Sequence, residues 1–289
     1  MTMQLLLCTD LDRTVLPNGP QPESDNARSR FAALAARPEV TLVYVTGRDR
    51  QLVRKAMANY SLPRPDYVIG DVGTTIYEVR SDDWHPWLEW QQEIAPDWAG
   101  LRRSDLRKLL LDIVDLYPQE PAKQNLHKLS FYVPLYAHTE TLSHDIRRRL
   151  EASGIRANLV WSIDEPREIG LLDVLPASAG KKHAISFLMQ RNGFALADTV
   201  FAGDSGNDLP VLASEIPAVL VANASPEVRS EAMAQARGWG HADALYIAQG
   251  GFMDMNGNYT AGVLEGVVHY KPEVRGWLTE NSSMKPANG

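Results

Sequence analysis

A single cysteine, Cys8, stands in a chain of 289 residues, which excludes a disulfide framework and any zinc site built from several thiolates. Its place inside an apolar run makes it a small core residue. Positive charge is scarce as well: 29 Lys and Arg face 36 Asp and Glu, for a net charge of −7. Such a surface attracts neither nucleic acid nor an anionic membrane, so no partner of either kind is expected. A phosphate ligand would need local positive charge or a metal ion. Apolar runs are short, none nearing the roughly 20 residues that span a bilayer, and the N-terminal run has no basic stretch before it. The expectation is a soluble, unexported protein of the cytoplasm. Internal repeats and low-complexity blocks are absent, and Asn281 to Gly289 reads as a frayed tail.

What is present is a rhythm of buried strands and helices. Hydrophobic residues make up 44% of the chain, enough for one large core or two modest ones. Gln4 to Thr9 reads as a strand, about Asn26 to Ala36 as a helix, Val40 to Val45 as a second apolar strand, and Arg50 to Tyr60 as a helix. That order marks a βαβ unit with a parallel sheet. Asp66 to Val79 continues as two short strands. From about Ser81 the composition turns toward tryptophan and charge, with Trp84, Trp87, Trp90 and Trp98 close together. Here the stretch "RRSDLRKLLLDIVDLY" reads as a helix, "HKLSFYV" as an alternating strand, "TETLSHDIRRRLEASG" as a helix, and Ala157 to Ser162 and Ile169 to Val174 as strands. After "PASAGKK" the α/β rhythm resumes through "DTVFAGD" and "AVLVAN". The predicted class is α/β: a Rossmann-like parallel-sheet core of residues 1–80 and 177–289, interrupted by an α+β cap over residues 81–176.

The stretch "LLLCTDLDRT" sets Asp10 and Asp12 directly after the first buried strand. Ligands of open α/β sheets bind beyond the carboxyl ends of the strands, where these carboxylates fall. Thr46 in "VTGR" and Asp204 and Asp208 in "GDSGND" follow later strands and reach the same edge. An isolated Asp-x-Asp is more often a solvated turn. Four carboxylates converging on one edge would repel one another unless a cation neutralised them, and a few hard oxygen ligands suit Mg2+.

Taken in order, "DLDRT", "VTGR", "GKK" and "GDSGND" resemble the four motifs of the haloacid-dehalogenase-like phosphatases, and the insert resembles their type-C2 cap. The stretches "PDYVIGDVGTTIY", "QNLHKLSFYV", "LDVLPASAGKKHAI" and "GNYTAGVLEG" are similar to the sucrose-phosphatase-like sugar phosphatases, over most of the chain. The resemblance implies that Asp10 is the nucleophile, forming an aspartyl-phosphate, and that Asp12 gives and takes the proton. It further implies that Mg2+ is held by the Asp10 side chain, the Asp12 backbone carbonyl and Asp204, with Asp208 orienting the ion's waters. Thr46, Gly47, Lys181 and Asn207 would hold the phosphoryl oxygens. Lys181 is preferred over Lys182 because it matches the "GK" position.

The same resemblance makes Gln124, Asn125, His127 and Lys128 the candidates for the sugar, although a cap lysine is more often solvated. His127 and Lys128 alternate on a strand, so one of them would face the active site. The tryptophans are read as core or domain-interface packing. Arg13 is a departure: many relatives carry glycine there, and the expected reading is a solvent-facing or structural arginine. The implied function is a Mg2+-dependent phosphatase of a phosphorylated sugar, sucrose 6-phosphate or a related disaccharide phosphate. The alternatives are another metabolite, such as mannosyl-3-phosphoglycerate or a monosaccharide phosphate, and a non-catalytic sugar-phosphate-binding module.

Overall fold

The computed structural model describes residues 3–81, 83–164 and 167–280, so the tail from Asn281 to Gly289 lies outside the described residues. The strands run Leu5–Thr9 (β1), Val40–Val45 (β2), Tyr67–Gly70 (β3), Thr75–Arg80 (β4), Asp83–Pro86 (β5), Tyr117–Pro118 (β6), Leu129–Val133 (β7), Ala157–Asp164 (β8), Ile169–Pro176 (β9), Thr199–Gly203 (β10), Ala218–Leu220 (β11) and Leu245–Ile247 (β12). The helices run Ala27–Ala35 (α1), Arg50–Tyr60 (α2), Leu88–Ile94 (α3), Arg103–Leu110 (α4), Thr139–Glu151 (α5), Lys181–Asn192 (α6), Leu209–Leu212 (α7), Pro226–Gly238 (α8), Thr260–Tyr270 (α9) and Val274–Glu280 (α10).

Eight strands form one sheet in the order β12-β11-β10-β1-β2-β3-β4-β5. From β12 to β3 every pairing is parallel, and β4 and β5 close the edge antiparallel. β1 is buried at all five positions. Leu5 and Leu7 face one core with Phe31 of α1 and Leu264 of α9, while Leu6 and Cys8 face a second core with Ile185 and Leu188 of α6. A strand covered on both faces has no wet side, which is why its sequence does not alternate.

β6, β7, β9 and β8 form a separate four-stranded antiparallel sheet. One face carries Phe131, Leu172 and Val174 against Leu106 of α4 and Ile146 of α5. The other carries Ser130 and Asp173, and Lys128, just before β7, reaches Asp71 beside the large sheet.

Two stretches depart from the sequence expectation. The helix expected over "RRSDLRKLLLDIVDLY" ends at Leu110, because Ile113 and Leu116 turn inward to join the small sheet's core and Asp115 takes φ +67°. Residues 83–94, expected with the insert, pack on the large sheet instead. There β5 pairs with β4, Trp84 is buried against Tyr77, and Trp90 and Ile94 join the core beneath α6. The chain returns from the small sheet through Pro176–Gly180, and Gly180 lies so close to Gly73 that a Cβ on Gly73 would sit 2.6 Å from the Gly180 carbonyl carbon. Gly73 also has φ +88°, so both space and backbone angle require glycine. Among the described residues no helix is long and apolar enough to cross a membrane.

Candidate active site

Strand order reverses between β1 and β10, and the crevice outside their carboxyl ends is the expected ligand position of such a sheet. Asp10 is the residue after β1, and Asp204 is the residue after β10. Asp208 ends the 3-10 turn Gly206–Asp208 that leads into α7. One oxygen each of Asp10, Asp204 and Asp208 lies within 4.8 Å of the others, and all three residues are buried. Lys181, the first residue of α6 and 5% exposed, donates from Nζ to Asp10 Oδ1 and to Asp208 Oδ1, both at 2.7 Å. Lys182 points elsewhere, to Glu215 at 3.0 Å.

Three carboxylates against one buried ammonium leave excess negative charge. Burial, joined by Asp208 and Asp204, pushes the Asp10 carboxyl well above the usual range against the pull of Lys181. Burial and Asp208 push Asp204 up to about 7. Burial opposes the charge on Lys181, but Asp10 and Asp208 outweigh it and raise the ammonium pKa above its ordinary value. An all-oxygen donor set whose members resist ionising together fits a hard divalent cation. The residues that would hold it are Asp10, Asp204 and Asp208.

Asp208 is fixed from four directions. Its Oδ2 accepts from the Asp204 and Ser205 amides, both at 3.1 Å, and from Ser205 Oγ at 3.2 Å, while Oδ1 takes Lys181. The Asp12 side chain lies outside the acidic cluster. Arg48 and Asn18 hold it, and although burial works to raise its pKa, these partners bring it below the ordinary carboxylate value. Thr46 follows β2, is 1% exposed, and accepts the Arg48 amide on Oγ1 at 3.2 Å. Gly47 and Asn207 line a cavity of about 420 Å³ that opens toward the small sheet, where Lys128, Tyr132, Arg167 and Asp173 form its roof. A neighbouring cavity of about 660 Å³ runs past Lys181, His183 and Asn158 and shares Val72, Val160 and Asn207 with the first.

The four sugar candidates separate. Lys128 faces the smaller cavity, its Nζ 3.8 Å from both Asp71 and Asp173. Asn125 donates to Thr74 Oγ1 at 2.8 Å and so ties the small sheet to the large one. Gln124 does not reach the cavity; its amide clamps the local turn through Gln119 O, Ser130 O and the Ser130 amide. His127 points the other way, onto Trp98 at 5.5 Å, from the turn before β7, so it and Lys128 do not alternate on a strand as expected. Arg13 is not simply solvent-facing: at 42% exposure its Nε lies 3.6 Å from Asp204 Oδ2.

Arg48, Asn18 and Asn223 were missed by the sequence reading. Arg48 sits inside "VTGR", so its motif was a usable signal. Asn223, which binds Arg13 across 210 positions of chain, had none.

A family model described as sucrose-6F-phosphate phosphohydrolase matches residues 3–271. A protein described only as a HAD-like hydrolase from Nitrosococcus oceani is 53% identical over 96% of this chain and 75% of its own length. The mannosylfructose-phosphate phosphatase of Agrobacterium fabrum is 29% identical over 92% of this chain and 96% of its own. The tobacco sucrose-phosphatase 1 is 28% identical over 78% of this chain, which spans 52% of that protein. Among solved structures, the sucrose-phosphatase of Synechocystis in complex with sucrose and phosphate superposes with a TM-score of 0.71 at 25% identity, covering 93% of this chain and 98% of that one. The chain therefore belongs to the sucrose-6F-phosphate phosphohydrolase family, within the haloacid-dehalogenase-like hydrolases, and is a phosphoric monoester hydrolase.

Proposed function

We propose that this family member hydrolyses the phosphate ester of a disaccharide, sucrose 6-phosphate or a mannosylfructose phosphate, with Mg2+ as cofactor. The observation that carries this reading is the buried Asp10, Asp204, Asp208 and Lys181 cluster at the sheet's switch point, with Lys181 on one of two adjoining cavities and Lys128, Tyr132, Arg167 and Asp173 on the other. A lining rich in hydrogen-bonding groups suits a polyhydroxylated leaving group better than an apolar one. Mannosylfructose phosphate stands beside sucrose 6-phosphate because the Agrobacterium relative matches over nearly the full length of both chains.

When bound, Mg2+ would supply positive charge beside the phosphoryl oxygens. Asp10 attacks phosphorus through its carboxylate, forming the acyl-phosphate bond as the bond from phosphorus to the sugar oxygen breaks. Asp12, which the Arg48 fork keeps ionised in this structure, takes up a proton as substrate binds and gives it to that departing oxygen. Water then attacks phosphorus, passes a proton back to Asp12, and releases phosphate with Asp10 restored. Lys181, Thr46 and Asn207 hold the phosphoryl oxygens during both steps. The small sheet β6-β7-β9-β8 with α4 and α5 acts as the cap, admitting the sugar and limiting water during the first step.

Phosphate release should be measured with Mg2+ across sucrose 6-phosphate, mannosylfructose phosphate, mannosyl-3-phosphoglycerate and glucose and fructose phosphates. A preference of about a hundredfold in kcat/KM for one disaccharide phosphate is expected. Flat activity across the panel would remove the disaccharide assignment.

A further inference from the structure

We infer that Arg13 is a built-in counter-ion of Asp204, competing with the divalent cation for that carboxylate and so weakening the affinity of the site. The inference rests on the metal reading above. Lys181 answers Asp10 and Asp208 at 2.7 Å each but makes no such contact with Asp204. Asp204 Oδ1 takes the Thr14 hydroxyl at 3.2 Å, and Asp204 Oδ2 faces Arg13 Nε at 3.6 Å. That Nε is shielded from solvent and makes no hydrogen bond among the described residues. An unspent donor held against a carboxylate marks an interaction that is electrostatic rather than a finished hydrogen bond.

The arginine is delivered to this place by its backbone. Arg13 has φ +57°, a left-handed conformation unfavourable for any side-chain-bearing residue. Two asparagines lock it there: Asn18 Oδ1 accepts the Arg13 amide at 2.8 Å, and Asn223 Nδ2 donates to the Arg13 carbonyl at 2.7 Å. Strain that the surroundings hold so firmly calls for a role at the site.

Charge counting says what the role is. Even with all three carboxylates ionised, Lys181 and Arg13 leave only one negative charge, so the cluster is nearly balanced without an ion. A divalent ion arriving at Asp204 meets a guanidinium of its own sign, and both contend for the same carboxylate. Lys181 is buried and cannot leave, whereas the Arg13 side chain, 42% exposed, can turn outward at the loss of one long bond, from Nη2 to the Asn223 carbonyl at 3.5 Å. Cation binding therefore displaces Arg13 from Asp204, and the site binds Mg2+ less tightly than its three carboxylates would alone.

The test is calorimetric titration of Mg2+ into the wild-type chain, Arg13→Gly and Arg13→Lys, at low salt and about pH 8. Glycine suits the left-handed backbone, so Arg13→Gly keeps the fold, and Arg13→Lys keeps both the charge and the strain. Arg13→Gly is expected to bind Mg2+ about tenfold more tightly, with the gain shrinking at high salt, while Arg13→Lys stays within about threefold of wild type. The thermal shift between EDTA and Mg2+ should grow in Arg13→Gly accordingly. An Arg13→Gly affinity equal to or weaker than wild type overturns the inference and leaves the metal reading standing. No Mg2+ binding by the wild-type chain overturns both.

Discussion

The Arg48 guanidinium grips the Asp12 carboxylate as a fork, Nε donating to Oδ2 at 2.7 Å and Nη2 to Oδ1 at 2.6 Å. Asn18 Nδ2 adds a third donor to Oδ1 at 2.8 Å. A bidentate guanidinium fixes both the position and the plane of the carboxyl group, which a single charge cannot do. Asp12 is therefore aimed by residues that reached no role in the sequence reading.

Arg48→Ala is expected to lower kcat/KM by about a hundredfold, the scale of losing one well-placed proton-transfer group. Arg48→Lys should recover only part of this, because it restores charge without the fork. Arg48 bonds none of the three clustered carboxylates, so Mg2+ affinity should stay within about threefold in both variants. Steady-state kinetics beside a cation titration would check this; a variant that lost cation binding to the same extent as turnover would assign Arg48 to the cation site instead.

Lys181→Met removes the only ammonium that touches both Asp10 and Asp208 among the described residues. Leaving buried carboxylates uncompensated costs roughly 3–5 kcal/mol, so the variant in EDTA should unfold at clearly lower urea than wild type. Mg2+ should return part of that loss, because it supplies charge to the same oxygens. Turnover should stay absent with Mg2+ present. A metal-free variant as stable as wild type would mean the carboxylates are neutral without the lysine.

The main sheet and the acidic cluster were legible because each rests on local sequence. β1, β2 and β10 are short apolar runs, and each ends at a carboxylate or hydroxyl that the parallel topology carries to one edge. β5 was not legible: "DWHP" has no apolar alternation, and it becomes a strand because Trp84 packs on Tyr77 of β4. The sugar candidates show a second limit. Adjacency in "QNLHK" says nothing of direction, and the turn that consumes the Gln124 amide is set by Ser130 six residues on. The Arg13 contact with Asp204 needed the fold, since it joins the first strand's loop to that of the tenth across 191 positions of chain.

Gly203→Ala tests how closely Asp208 must be held. A Cβ on Gly203 would lie 2.5 Å from Asp208 Cγ and 2.6 Å from Oδ2, inside any real contact. Asp208 would have to move, breaking its bonds to the Asp204 and Ser205 amides and its contact with Lys181. Overpacking of this kind costs about 1–3 kcal/mol, so the variant should still fold. Its kcat should fall by at least about a hundredfold, since a misplacement of about 1 Å carries that penalty. Near-normal turnover in a folded Gly203→Ala protein would show that Asp208 has no positional role.

His127 sets a pH dependence away from the acidic cluster. Burial against Trp98 lowers its pKa below the usual histidine value, and its Nδ1 has no hydrogen-bond partner among the described residues. The unfolded chain therefore takes up a proton near pH 6.5 that the folded chain still refuses. Above that pH both states are neutral here and stability is unaffected. As pH falls from about 6.5 toward the depressed folded pKa, the unfolded state binds more protons and stability is lost. His127→Phe fills the same aromatic contact without a titrating ring and gives up no bond at Nδ1. Its melting temperature should be flatter than wild type between about pH 5 and 6.5, and the two curves should run parallel above pH 7. Equal slopes below pH 6.5 would show that the ring is protonated in the folded protein and that the small sheet's core tolerates the charge.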